Sequence, residues 1–128
     1  MNKNILHIPS LTYFGNDWNV LQNFLKHRGN PPFHIDGDLY LEGTSIQSLG
    51  NLKSVGGDLN LYDTQIESLG NLTSVGGYLG LSYSKIESLG NLTSVGGSLI
   101  LLNTPISKTM TEDEIRSQVN VEGNIYFK

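Results

Sequence analysis

Apolar positions recur along this chain with a fixed step of 20 residues. The phrase IQSLGNLKSVGG at Ile46–Gly57 returns as IESLGNLTSVGG at Ile66–Gly77 and again at Ile86–Gly97, each time followed by x-L-x-L. A period of this size is the signature of a stacked repeat architecture. Within one unit Val55, Leu59, Leu61, Ile66, Leu69 and Leu72 are apolar, and the next unit matches each of them. Leu59 and Leu61 alternate with Asp58 and Asn60, the period of two that makes a strand with one inward face. Ile66, Leu69 and Leu72 are spaced by three, which predicts a tightly coiled return path of 3₁₀ or irregular turns. Gly56-Gly57 and Gly70-Asn71 are expected to turn the corners, where positive φ is cheap for such residues. One unit alone buries too little apolar surface to offset its chain entropy, so the pattern demands a cooperative parallel stack.

Used as a ruler, the repeat finds further copies. Ile35, Gly37, Leu39, Leu41 and Thr44 stand where Val55, Gly57, Leu59, Leu61 and Thr64 stand one unit later. Val121, Gly123, Ile125 and Phe127 match Val95, Gly97, Leu99 and Leu101, with the step stretched to 26. Five equivalent strands are therefore predicted, at Asp38–Leu41, Asp58–Leu61, Tyr78–Leu81, Ser98–Leu101 and Asn124–Phe127. The extra residues before the last strand read TEDEIRSQ. A cap at Thr111 and three acids in the first turn predict a helix within Met110–Val119. Near the N-terminus, Trp18, Val20, Leu21, Phe24 and Leu25 form a helical stripe, capped by Asn16 or Asp17 and closed by Gly29, Pro31 and Pro32. A helix at Asp17–Arg28 is expected to cover the open end of the stack, which would otherwise expose core side chains. Met1–Phe14, with Ile5, Leu6 and Ile8 before Pro9, reads either as an added edge strand or as a disordered arm. The fold class is thus an α/β repeat solenoid of 20-residue coils in one domain, 1–128. Its parts are an arm and capping helix (1–32), repeat coils (33–107), and a C-terminal helix and capping strand (108–128).

Composition narrows the function classes. The net charge is −4, and the eight Lys and Arg form no run, which argues against a nucleic-acid binder. There is no Cys, so disulfides, thiolate metal sites and a Cys nucleophile are excluded. No apolar stretch suits a signal peptide or a membrane span, so a cytoplasmic protein without membrane contact is expected.

Polar residues also repeat. Thr44, Thr64, Ser84 and Thr104 form one column, Ser48, Ser68 and Ser88 another, and Asn51, Asn71 and Asn91 a third. These hydroxyls and amides are expected to satisfy backbone groups at corners. No catalytic arrangement emerges, and no enzyme activity, cofactor or metal is expected. His7, His27 and His34 show no ligand spacing in sequence. The Gly-Gly pairs precede strands and match neither phosphate-loop motif nor a calcium-binding β-roll. The strand face presents no regular T-x-T array of the kind an ice-binding surface uses.

The x-L-x-L-x-x-T-x-I-x-x-L phrase resembles the leucine-rich repeat, with Thr or Ser where the usual motif has Asn or Cys. The leading Gly-Gly and the N-L-x-S-V return leg are also similar to the repeats of receptor L domains. FGNDWNVLQNFL at Phe14–Leu25, RGNPP at Arg28–Pro32, the LGNLTSVGG units and DEIRS at Asp113–Ser117 resemble small bacteriophage and bacterial leucine-rich-repeat proteins. The resemblance implies a protein-binding surface more than a chemistry, because such repeats serve mostly as docking faces.

The residues that break the repeat are the ones left free for function. On the outward strand face one column reads Asp38, Asp58, Tyr78, Ser98, Asn124, and the next reads Tyr40, Asn60, Gly80, Ile100, Tyr126. A third reads Glu42, Tyr62, Ser82, Leu102, Lys128. Tyrosine favours interfaces. Ile100 and Leu102 are either covered by the long last unit or the C-terminal helix, or form an exposed contact patch. The expected function is a protein-interaction module that binds a host protein or a second copy of itself, possession by a phage being one source. The binding residues are Asp38, Tyr40, Asp58, Asn60, Tyr62, Tyr78, Ile100, Leu102 and Tyr126. The alternative is a nucleotide or sugar binder that stacks a ring on the tyrosines and takes hydroxyls on the acids.

Overall fold

A computed structural model describes residues 5–127. The chain alternates between two parallel sheets. The first holds β1 (Leu6–Ile8), β2 (Phe33–Ile35), β4 (Leu52–Val55), β6 (Ser74–Val75), β8 (Ser94–Val95) and β10 (Asn120–Val121), in that spatial order. The second holds β3 (Leu39–Tyr40), β5 (Leu59–Asn60), β7 (Leu79–Gly80), β9 (Leu99–Ile100) and β11 (Ile125–Tyr126). Equivalent residues pair: Val55 with Val75 and Val95, Leu59 with Leu79 and Leu99. The arrangement is compatible with an α/β repeat stack.

The second sheet is the five-stranded one that the leucine alternation predicts, with strands of two residues where four were expected. The first sheet was not expected. The spacing of three in Ile66, Leu69 and Leu72 does give an irregular path. The β-branched Val75 that follows is extended, however, and its neighbour Ser74 pairs with Ser54 and Ser94. The Gly-Gly corners also need a different explanation. Gly70 has φ 56, as anticipated, but Gly56 and Gly76 have no positive φ. A Cβ on Gly76 would lie 2.1 Å from the carbonyl oxygen of Gly56, so it is the close approach of one corner to the next that excludes a side chain.

One cluster of buried side chains runs from Ile8 to Ile125. Every Leu, Ile and Val of the central unit, from Leu59 to Val75, is at most 1% exposed. The polar columns do what corner hydroxyls usually do. Thr64 and Thr104 each donate to the carbonyl three residues back at 2.8 Å. Ser48, Ser68 and Ser88 accept from the N–H of Gly50, Gly70 and Gly90.

The N-terminal end is closed by α1 (Trp18–Lys26), whose first turn is capped by Asp17 Oδ1 accepting from Asn19 and Val20 N–H. Trp18, Leu21 and Leu25 enter the core, and the Trp18 ring lies 6.1 Å from that of Phe33. Val20, expected on the same apolar stripe, is 48% exposed because the contacted face is narrower than the stripe. Of the two readings of Met1–Phe14, the strand holds from Leu6 to Ile8, with a short 3₁₀ turn at Leu11–Phe14. The rest of that expectation, at residues 1–4, lies outside the described residues, as does Lys128.

At the other end the expected helix is α3 (Glu112–Gln118), and a further short helix, α2 (Ile106–Thr109), precedes it. Thr111 and Glu114 form a reciprocal capping box at the start of α3. The stretched step then restores register, with Val121 beside Val95 and Ile125 beside Leu99. In the first sheet each unit donates N–H groups to the preceding one: Gly96 to Val75, Glu122 to Val95, Gly97 to Gly77, Gly123 to Gly97. The next acceptors in this series are Val121 O and Gly123 O, and a side chain meets them. Arg116 fills both places, donating to Val121 O at 2.9 Å and Gly123 O at 3.0 Å, while its Nε donates to Glu112 at 2.9 Å. One guanidinium thus donates to the two carbonyls that, in the inner units, accept from backbone N–H groups.

Candidate functional site

The outward face of the five-stranded sheet carries the expected residues. Each β-strand places one side chain of its pair inward and one outward. Tyr40, Asn60, Gly80, Ile100 and Tyr126 are consecutive register partners, so they form one column across the sheet. Tyr40 and Tyr126, about 50% and 45% exposed, stand at its two ends, roughly 19 Å apart at ordinary strand spacing. Between them the floor is low. Gly80 is buried, and a Cβ there would sit 3.5 Å from the Tyr78 ring and 3.3 Å from Asn60 Oδ1. Absence of a side chain at Gly80 lets the half-buried Tyr78 lie against the sheet.

Beside this column stands Tyr62, 46% exposed, and its ring meets that of Tyr83 edge-on at 5.3 Å. Tyr83, 51% exposed, was missed from sequence. The signal was available in the ruler: its column reads Gly43, Asp63, Tyr83, Asn103, and each of these has positive φ. Gly, Asp and Asn suit the left-handed region, whereas Tyr does not.

Asp38 and Asp58 prove to be busy with the scaffold. Asp38 Oδ1 accepts from Asp58 N–H at 2.8 Å, and Asp58 Oδ1 accepts from Tyr78 N–H at 2.9 Å. Each carboxylate therefore ties one unit to the next. The Tyr40 hydroxyl donates to Asp38 Oδ2 at 3.3 Å. Lost hydration, then the nearby carboxylates, raise the Tyr40 phenol above its ordinary 10.0, with Asp38 the foremost of these. Tyr78 is raised in the same way, by burial first and then by Asp58, Glu42 and Asp38. Both phenols stay neutral donors at physiological pH. Ile100 and Leu102 are half-buried, so neither is fully covered nor fully exposed.

A cleft of about 660 Å³ opens between α1 and the first repeat unit, lined by Asp17, Trp18, Gln22, Tyr40, Ile46 and Ser48 among others. Gln22 Nε2 is buried and has no hydrogen-bond partner among the described residues.

The histidines do not stay apart in space. His7 and His34, distant in sequence, are register partners on β1 and β2, and their rings lie 5.1 Å apart. His27 stays separate on the end of α1, bonded to Asn23 O. No helix among the described residues is long and apolar enough to cross a membrane. No family model matches the chain, and no match was found among curated proteins or among solved structures.

Proposed function

We propose that this chain is a leucine-rich-repeat-like solenoid acting as a non-catalytic protein-binding module, with its partner on the outward face of the five-stranded sheet. The observation that carries the reading is the set of half-exposed tyrosines, Tyr40, Tyr62, Tyr83 and Tyr126, around a low floor at Gly80. Rigid aromatic side chains give large contact area at little entropic cost, which is why they anchor interfaces. Asp38, Glu42 and Asp63 are exposed beside them, so a partner with basic side chains fits best. The proposal takes the chain to be cytoplasmic, in the host cell if it is phage-encoded, with a host protein as partner. A second copy of the chain is the competing occupant.

The test compares affinity capture from native host lysate by the wild type and by a Tyr40→Ala, Tyr62→Ala double variant, with circular dichroism confirming the fold. A band present with the wild type and lost with the variant supports the reading, while equal capture by both removes the site from this face. Light scattering across concentration separates the two occupants: a mass that stays monomeric rules out the self-docking version.

Small-ligand binding is a second reading, favoured by the cleft beneath α1 and its unpartnered Gln22 amide. Its volume falls within the usual range of ligand sites. A thermal-shift screen with nucleotides and sugars tests it, and a Gln22→Ala variant must abolish any shift found.

A further inference from the structure

We infer that His7, His34 and Asp36 form a binding site for a divalent transition-metal ion of the zinc class, which would staple the N-terminal strand to the repeat stack. The site lies on the outward face of the six-stranded sheet, away from the tyrosines. His34 and Asp36 belong to the same strand and its continuation, two residues apart, so they share a face. Parallel pairing sets His7 of β1 directly beside His34. The result is that His7 Nδ1 and His34 Nε2 each lie 3.2 Å from Asp36 Oδ1, and all three ligand atoms are within 4.8 Å of one another.

The two 3.2 Å separations from Asp36 Oδ1 match what a metal asks for. With metal–ligand bonds of about 2.0–2.2 Å and tetrahedral angles, neighbouring ligand atoms stand roughly 3.3 Å apart. Two imidazoles and one carboxylate make a ligand set suited to zinc and its first-row neighbours, and solvent can take the remaining positions. His7 and Asp36 are well exposed, with side-chain accessibilities of 66% and 50%, so an ion can enter.

The surroundings support the ligands. His34 Nδ1 is hydrogen-bonded to Ser54 Oγ on β4. This bond orients the ring so that Nε2 faces Asp36, the support that metal-bound histidines characteristically have. Ser54 is in place because of an irregularity. Phe33 pairs with Leu52, but His34 pairs with Ser54, so Lys53 bulges out of β4 at this point. Without the bulge Lys53 would be the partner of His34. Bulges often re-aim side chains beside functional sites. When a metal takes Nε2, the proton must sit on Nδ1 and Ser54 Oγ becomes the acceptor, a role that a hydroxyl can adopt.

The repeat itself marks these residues. The His34 column continues as Ser54, Ser74 and Ser94, and the Asp36 N–H bond to Ile8 O is the counterpart of those made by Gly56, Gly76 and Gly96. Serine and glycine suffice for the scaffold. Two histidines and an aspartate depart from them together, at one spot.

The experiment titrates the untagged full chain with Co²⁺ and with Zn²⁺, followed by the visible cobalt spectrum and by calorimetry. One equivalent should bind, with bands of low-symmetry cobalt. His7→Ala and Asp36→Asn should each weaken binding by about tenfold or more, Ser54→Ala by about tenfold, and His27→Ala not at all. Bound Zn²⁺ should raise the melting temperature of the wild type but not of His7→Ala. His7 sits on an exposed edge strand, so its replacement leaves the fold intact, which circular dichroism verifies. Absence of stoichiometric binding, or binding that survives His7→Ala unchanged, would overturn the proposal.

Discussion

At the scale of single residues, Tyr83 poses the clearest conflict. Its φ of 60 is costly for an aromatic L-residue, by roughly 1 kcal/mol, and its edge-on contact with Tyr62 offsets only part of that at so exposed a site. Tyr83→Asn is therefore expected to leave stability unchanged or raise it by about 0.5 kcal/mol. In a Tyr62→Ala background, where no ring contact is lost, the gain should reach about 1 kcal/mol. Urea denaturation of the four proteins checks both numbers, and a loss above about 1 kcal/mol from Tyr83→Asn alone would refute the strain argument. A strained residue that the scaffold could replace with Asn, as at Asn103, is one whose side chain has a use. The candidate face was partly legible in sequence for the same reason. Tyr40, Tyr62 and Tyr126 stand out against a regular background, whereas the scaffold duty of Asp38 and Asp58 was invisible. Their carboxylates bond to N–H groups that come near only when the units stack.

At the scale of elements, the two ends of the stack are finished differently from the middle. Arg116→Ala should cost about 1–2 kcal/mol, because hydrogen bonds from a charged donor to Val121 O and Gly123 O are lost together. Glu112→Ala, which removes only an exposed i,i+4 partner of Arg116, should cost about 0.5 kcal/mol or less. Hydrogen exchange should show faster opening over Asn120–Tyr126 in the first variant and little change in the second. Equal effects would mean that the guanidinium matters for its charge pair, not for the edge it seals. None of this was readable from DEIRS as a string. The sequence predicted a helix there, and correctly a cap at Thr111. The purpose of Arg116 appears only when the hydrogen-bond direction of the six-stranded sheet is known, and that sheet itself escaped the periodicity argument. Val75 has no apolar residue two positions away, the apolar residue before it being Leu72, whereas Leu59 and Leu61 flank Asn60 in the other sheet.

For the whole molecule, the repeat makes length a nearly free variable. Deleting Glu67–Ile86 joins Ile66 to Glu87 without breaking the phrase, and each remaining unit keeps a neighbour of the same kind. This shortened chain should fold cooperatively with a lower melting temperature, as nearest-neighbour stacking requires. Deleting half a unit, Glu67–Gly76, should abolish folding, because strands of one sheet would then face the path of the other. Thermal melts followed by circular dichroism distinguish the two, and similar behaviour of both deletions would contradict the stack. The repeating units were the most legible feature, since leucine, valine and isoleucine recur at their core positions, though the six-stranded sheet was not. The N-terminal strand stayed ambiguous because Leu6–Ile8 has no phrase in common with the repeats. Its partner, Phe33–Ile35, lies beyond a helix.

The near-identity of the inner units has a cost during folding. Val75 finds in Val55 and Val95 two neighbours of the same shape, and a wandering segment could dock one unit out of place and lose few contacts. The ends cannot be mistaken in this way. The step from Ser98 to Asn124 is 26 residues where the inner ones are 20, and only one stretch of chain brings Trp18 onto Phe33. Such mis-docked states would be kinetic traps, escaped by unzipping toward an end. The irregular termini thus serve as the start and stop marks that tell otherwise interchangeable units which place in line is theirs.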